Sequence, residues 1–96
     1  MAKMSIRTIR SRLAPILRKH SIRRAGIFGS AARGSVRKDS DIDVLVKIEK
    51  NISLFDFVGI QLEMEKALGK KVDLVEYGTI KPALKQRILA EEVSVV

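Results

Sequence analysis

Apolar residues recur along the chain in different rhythms, and each rhythm predicts an element. Ile6, Ile9, Leu13, Ile16 and Leu17 fall at offsets of 3, 7, 10 and 11, one stripe of a helix. Pro15 sits inside that stripe, and its missing backbone donor predicts a kink or a second start there. Residues 22–28 read as a short strand, ended by Gly29-Ser30. Ala31-Ala32-Arg33 leaves room for only a turn or two of helix before Gly34, and residues 35–40 are polar and read as a loop.

From Asp41 the rhythm becomes strict alternation. Ile42, Val44, Val46 and Ile48 share one face, while Asp41, Asp43, Leu45 and Lys47 share the other. Ser53 is a good N-cap for the next helix, with Asp56 as an acidic first-turn residue. Leu54, Phe57, Val58, Gln61, Leu62, Glu65 and Leu68 trace its mainly apolar face, and Gly69 marks its end. Residues 71–77 form a third strand around Val72, Leu74 and Val75. Pro82 suits the first turn of a last helix reaching about Glu91, and residues 93–96 suit a terminal edge strand. The order α-β-α-β-α-β-α, with a final β, predicts an α/β (α+β) fold: a small mixed sheet of three or four strands with helices packed on it.

Composition narrows the chemistry. With 96 residues the chain is expected to be one small domain. The absence of cysteine excludes disulfides, zinc–thiolate sites and a thiol nucleophile, and the single His20 excludes multi-histidine metal sites within one chain. No apolar run approaches the ~18 residues of a membrane span, so a cytoplasmic location is expected. Residues 1–21 are amphipathic, rich in Arg and Ser and free of acids, as a transit peptide is. Their spacing suits a structural helix better, and no cleavage-like break follows them.

Charge is divided unevenly along the chain. Residues 1–38 hold 11 Lys and Arg and no acid, whereas residues 39–96 hold 8 basic and 11 acidic residues. Such asymmetry fits a polyphosphate, nucleic-acid or acidic-protein partner without choosing among them.

Asp41-Ile42-Asp43 is poorly explained by structure alone. Carboxylates at i and i+2 of a strand leave from one face, about 6.5–7 Å apart at Cα, in an element where Asp is disfavoured. A divalent cation with oxygen ligands resolves that conflict; a solvated edge strand is the structural alternative. Asp73, between Val72 and Leu74, adds a third carboxylate to the same face if its strand lies beside the first. Upstream, Gly29-Ser30 at a strand end allows close backbone approach to a phosphate. Together these features describe a site for metal-bound polyphosphate.

The motif Gly29-Ser30-Ala31-Ala32-Arg33-Gly34 followed by Ser40-Asp41-Ile42-Asp43-Val44-Leu45-Val46 resembles the signature of the DNA polymerase β-like nucleotidyltransferases. More narrowly, the chain resembles the minimal nucleotidyltransferases, over nearly its whole length and including Val72-Asp73-Leu74-Val75. The resemblance implies that Asp41 and Asp43 hold two Mg²⁺ ions, one also gripping a nucleoside triphosphate, and that Asp73 completes the other shell and helps orient or deprotonate an acceptor hydroxyl. It implies that the Gly29 amide and Ser30 bind the β- and γ-phosphates. Arg33, with Arg37 and Lys38, is a candidate for neutralising leaving-group charge. Ser40 shapes the turn or contacts a phosphate.

Larger relatives carry an added domain that this chain lacks, and its aromatic residues are only Phe28, Phe55, Phe57 and Tyr77, the phenylalanines reading as core. The acceptor surface is therefore expected from another chain, as a protein partner or a second copy. Minimal nucleotidyltransferases of this sort pair with a helical HEPN protein, and the resemblance implies AMP transfer from ATP to a tyrosine of that toxin. Two other readings stay open: a non-catalytic antitoxin that neutralises its partner by contact, and a nucleotidyltransferase directed at nucleic acid through the basic segment.

Overall fold

The computed structural model describes residues 5–29, 31–32 and 41–96. Helix α1 spans Ile6–Lys19. It starts at Ser5, whose side chain accepts from the Thr8 amide at 3.1 Å, and buries Ile9, Leu13, Ile16 and Leu17. The helix runs through Pro15 as one element. The donor that Pro15 lacks would have served the carbonyl of Ser11, which lies on the exposed side of the helix, while Leu13, Ile16 and Leu17 anchor the chain on both sides of it.

The end of α1 is a Schellman turn without glycine. The Ser21 amide bonds the Arg18 carbonyl and the Ile22 amide bonds the Leu17 carbonyl, with Ser21 at φ 56°. His20 caps this end and bonds Glu63 of the next helix at 2.7 Å, beside a 2.8 Å Lys19–Glu63 ion pair.

Strand β1 covers Arg24–Phe28 and β2 covers Ile42–Lys47, paired antiparallel. Helix α2 spans Leu54–Leu68, capped by Ser53 and closed by Gly69 in the left-handed region. It returns the chain to β3, Val72–Glu76, which lies parallel to β2. A 3₁₀ turn at Tyr77–Thr79 leads to α3, Pro82–Glu91, and then to a short edge strand β4, Val93–Ser94, antiparallel to β1. The sheet order β3-β2-β1-β4 is the small mixed sheet expected from the sequence.

The core lies on one face of the sheet, where α1 and α2 meet Ala25, Ile27, Ile42, Val44, Val46, Val72 and Leu74. Helix α2 keeps part of the expected face and loses the rest. Leu68 is buried and Phe57 packs against the core as expected, Ile60 and Met64 join them, and Leu54, Val58 and Leu62 are exposed. The helix is apolar almost all round, so its period alone did not choose a side. Phe55 stands 90% exposed, which removes it from the core assigned to the phenylalanines. Residues Ala31 and Ala32 form a turn, and the rest of the short helix expected there lies outside the described residues.

No helix among the described residues is long and apolar enough to cross a membrane.

Candidate active site

Alternation along β2 sends Ile42, Val44 and Val46 into the core and turns Asp43 to the other face of the sheet. Asp43 is the second residue of its strand, and so is Asp73 of β3. Because β2 and β3 are parallel, both strands begin at the same end of the sheet and the two residues are register partners. On its other side Asp43 pairs with Phe28, the last residue of β1. Phe28, Asp43 and Asp73 thus form one row across three strands, with Gly29 just beyond the row's first member.

Gly29 has φ 69°, a region costly for residues with a Cβ. A methyl group built there would stand 2.6 Å from Asp43 Oδ2. The turn after β1 is therefore glycine for two reasons, its backbone angle and the carboxylate lying against it.

Asp43 is half-buried, while Asp41 and Asp73 are exposed. Burial first, then the charges of Asp73 and Asp41 and a hydrogen bond with Asp73, push the Asp43 carboxyl up from its ordinary value. No cation pairs with Asp43 or Asp73 among the described residues.

Three groups do not converge tightly: among the described residues no cluster of three or more Asp, Glu or His side chains is arranged to enclose a metal. The structure brings together a pair, Asp43 with Asp73, and leaves Asp41 on the rim, outside β2. That set still suits Mg²⁺, a hard cation that uses one or two carboxylates and fills its remaining positions with water and substrate phosphates. Ser30, Arg33 and Ser40, named from the sequence as phosphate contacts, lie outside the described residues, as do Arg37 and Lys38.

Sequence reasoning missed the cluster further along the same face. The Tyr77 hydroxyl donates to Glu92, and the Arg24 guanidinium sits 4.5 Å from the centre of the Tyr77 ring. Glu92 reaches over Gly26, where a Cβ would meet its Cγ at 2.5 Å. Burial and the neighbouring carboxylate push the Tyr77 phenol up, so it stays a donor. Nothing in the spacing of residues 24, 77 and 92 signals this contact, since it joins β1, the 3₁₀ turn and the chain after α3.

A surface cavity of about 680 Å³ lies at the opposite end of the sheet, between Lys19, Arg23, Ile48, Phe55 and Gly59. It holds none of the three aspartates, so the candidate site rests on the paired carboxylates of Asp43 and Asp73 and not on a cavity.

Comparison with known proteins places the chain in a family. Residues 11–96 match the family model described as polymerase beta, nucleotidyltransferase. A protein of Methanocaldococcus jannaschii named as a protein adenylyltransferase is 47% identical over 93 residues, covering 97% of this chain and 100% of the relative. The protein adenylyltransferase MntA of Thermococcus cleftensis is 34% identical over 99 residues, covering 99% and 100%. A solved complex of a tri-AMPylated HEPN toxin of Shewanella oneidensis with an MNT antitoxin contains a chain of the same fold. The TM-score is 0.73 and the identity 18%, over 95% of this chain and 71% of that one.

Proposed function

The chain belongs to the polymerase beta nucleotidyltransferase family, and from that premise we propose that it is a Mg²⁺-dependent protein adenylyltransferase. It moves AMP from ATP to a tyrosine hydroxyl of a partner HEPN toxin and releases pyrophosphate, acting as a single transferase domain in the cytoplasm. The register pairing of Asp43 with Asp73 carries this reading, because it holds two carboxylates together without a counter-charge among the described residues. The likeness to MntA supports the adenylyl group, and the AMPylated HEPN complex supports the acceptor.

Asp41, Asp43 and Asp73 are the residues that hold Mg²⁺. The ion, when bound, offsets their charge and draws electron density from the phosphates. Gly29 turns the backbone at the end of β1 so that its amide serves the β- and γ-phosphates, with Ser30 beside it. Arg33 is assigned, from the sequence motif alone, to neutralising charge on the leaving group, and Ser40 to a phosphate or to the turn before Asp41.

Asp73, on the exposed side of the pair, orients the acceptor hydroxyl and takes its proton. The tyrosine oxygen bonds to the α-phosphorus as the bond from that phosphorus to the bridging oxygen breaks. Pyrophosphate leaves with the bonding electrons, and the proton passes from Asp73 to water.

The test mixes the protein, a purified HEPN partner, Mg²⁺ and ATP labelled at the α-phosphate. Label on a partner tyrosine, absent with Asp43→Asn, is the expected result. A partner neutralised equally well by the Asp43→Asn protein, with no label on either, overturns the reading in favour of inhibition by contact.

A further inference from the structure

Helix α1 carries Arg7, Arg10, Arg12, Arg18 and Lys19 and no acidic residue, and all five side chains are exposed. Two are engaged: Arg10 donates to the Ser94 carbonyl at 2.9 Å, and Lys19 pairs with Glu63. Arg7, Arg12 and Arg18 have no ion-pair partner among the described residues. The helix buries the stripe of Ile9, Leu13, Ile16 and Leu17, so Arg7 and Arg18 stand on the side turned to solvent, and Arg12, about 130° round the axis from them, stands on the flank beside the buried stripe. Arg7 and Arg18 are 11 positions apart, about 16 Å along the axis and nearly on one line.

What covers this face follows from what it lacks. Protein interfaces place an apolar core inside a charged rim, yet none of the large exposed apolar residues, from Leu54 to Val96, belongs to α1. Single-stranded nucleic acid wants aromatic platforms for its bases, and the four aromatic residues Phe28, Phe55, Phe57 and Tyr77 all lie outside this helix. An array of cations alone fits a duplex, which offers one phosphate per about 1.7 Å of its axis and makes polar, positively charged interfaces.

We propose that the exposed surface of α1 docks double-stranded nucleic acid through its phosphates, with Arg7 and Arg18 as contacts on its outer face and Arg12 as a contact on its flank. Asp43 and Asp73 emerge from the opposite face of the sheet to the one α1 covers, so the duplex docked here is not the acceptor of the transfer reaction. The surface tethers the protein to a polyanion and reads no base sequence. It stands independently of the proposed adenylyl transfer.

The test follows the anisotropy of a labelled DNA duplex of about 20 base pairs as the intact protein is added, from about 50 to 200 mM salt. Binding is expected to weaken with a log–log slope near −0.9 per phosphate contact, hence about −2.7 for three arginines. Arg18→Ala should flatten that slope by about 0.9 and Arg18→Lys should restore it. The triple variant Arg7→Ala/Arg12→Ala/Arg18→Ala should lose binding at the lowest salt while its melting temperature and its transfer of AMP stay unchanged.

Duplex binding unaffected by the triple substitution overturns the proposal. So does equal competition by polyglutamate of matched charge, which would assign the face to acidic proteins. Should the triple variant fail to fold, the slopes of Arg18→Ala and Arg18→Lys decide alone. Asp43→Asn should bind the duplex as the unmutated protein does, so loss of transfer and loss of docking are separable.

Discussion

The carboxylate of Asp43 lies against the backbone of Gly29, so close that an added methyl group would stand 2.6 Å from Oδ2. The strand that carries the charge and the turn after β1 therefore pack against each other with no room for a side chain between them.

Gly29→Ala should therefore impair the site more than the fold. The left-handed backbone at φ 69° adds about 1–2 kcal/mol of strain for a residue with a Cβ, and the methyl group must move Asp43. A melting temperature lowered by several degrees, with AMP transfer down by about tenfold or more, is the expected outcome. A calorimetric scan and an initial-rate assay on the same preparation check it.

Asp43→Asn should separate activity from stability in opposite directions. Metal-free Asp43 has a carboxyl held above its ordinary value of 3.8, so the folded state binds its proton more tightly than the unfolded chain does. Stability from this group is fully present below the ordinary value and is lost as pH rises from there through the raised value. In chelator, the resistance of the unmutated protein to urea should weaken over that window, and Asp43→Asn should flatten the loss. At neutral pH the variant should be the more stable protein, with transfer reduced about 100-fold or more.

Tyr77→Phe should loosen the end of the chain. The hydroxyl it removes donates to Glu92, and a hydrogen bond to a charged acceptor contributes about 1.5–3 kcal/mol. Tyr77 is buried and Glu92 is partly so, which leaves the carboxylate poorly paired when the donor goes. A loss of about 1.5–3 kcal/mol by urea unfolding is expected, and early hydrogen exchange should appear at Val95, whose amide bonds the Ala25 carbonyl.

Gly59→Ala should stabilise the protein. Gly59 lies inside α2, and nothing stands within 4 Å of the position its Cβ would take. Alanine there gains about 0.5–1 kcal/mol of helix propensity, which raises the melting temperature by about 4–8 °C per kcal/mol in a domain this small. Thermal unfolding by circular dichroism measures it directly.

Most of the fold was legible because its signals are local. Ser53 through its hydroxyl, and Gly69 and Pro82 through their backbone angles, mark helix ends from their own chemistry, and each does so in the structure. The Schellman turn at Ser21 was not legible, since serine in a left-handed position gives no sign of itself. The buried side of α2 was read only in part, through Phe57 and Leu68, because apolar residues lie on more than one side of that helix, and contact with α1 and the sheet added Ile60 and Met64 and left Leu54, Val58 and Leu62 exposed.

For the site, the sequence by itself determined that Asp41 and Asp43 bracket one position at a strand start and that a glycine turn precedes them by about ten residues. These follow from spacing along one stretch of chain. Only the tertiary structure decided that Asp73 stands opposite Asp43. Helix α2 carries the chain back so that β3 runs parallel to β2, with both strands starting at the same end. A slip of one residue would turn Asp73 into the core. The row is held because Val72 and Leu74 must bury on one face, which leaves Asp73 to meet Asp43 on the other.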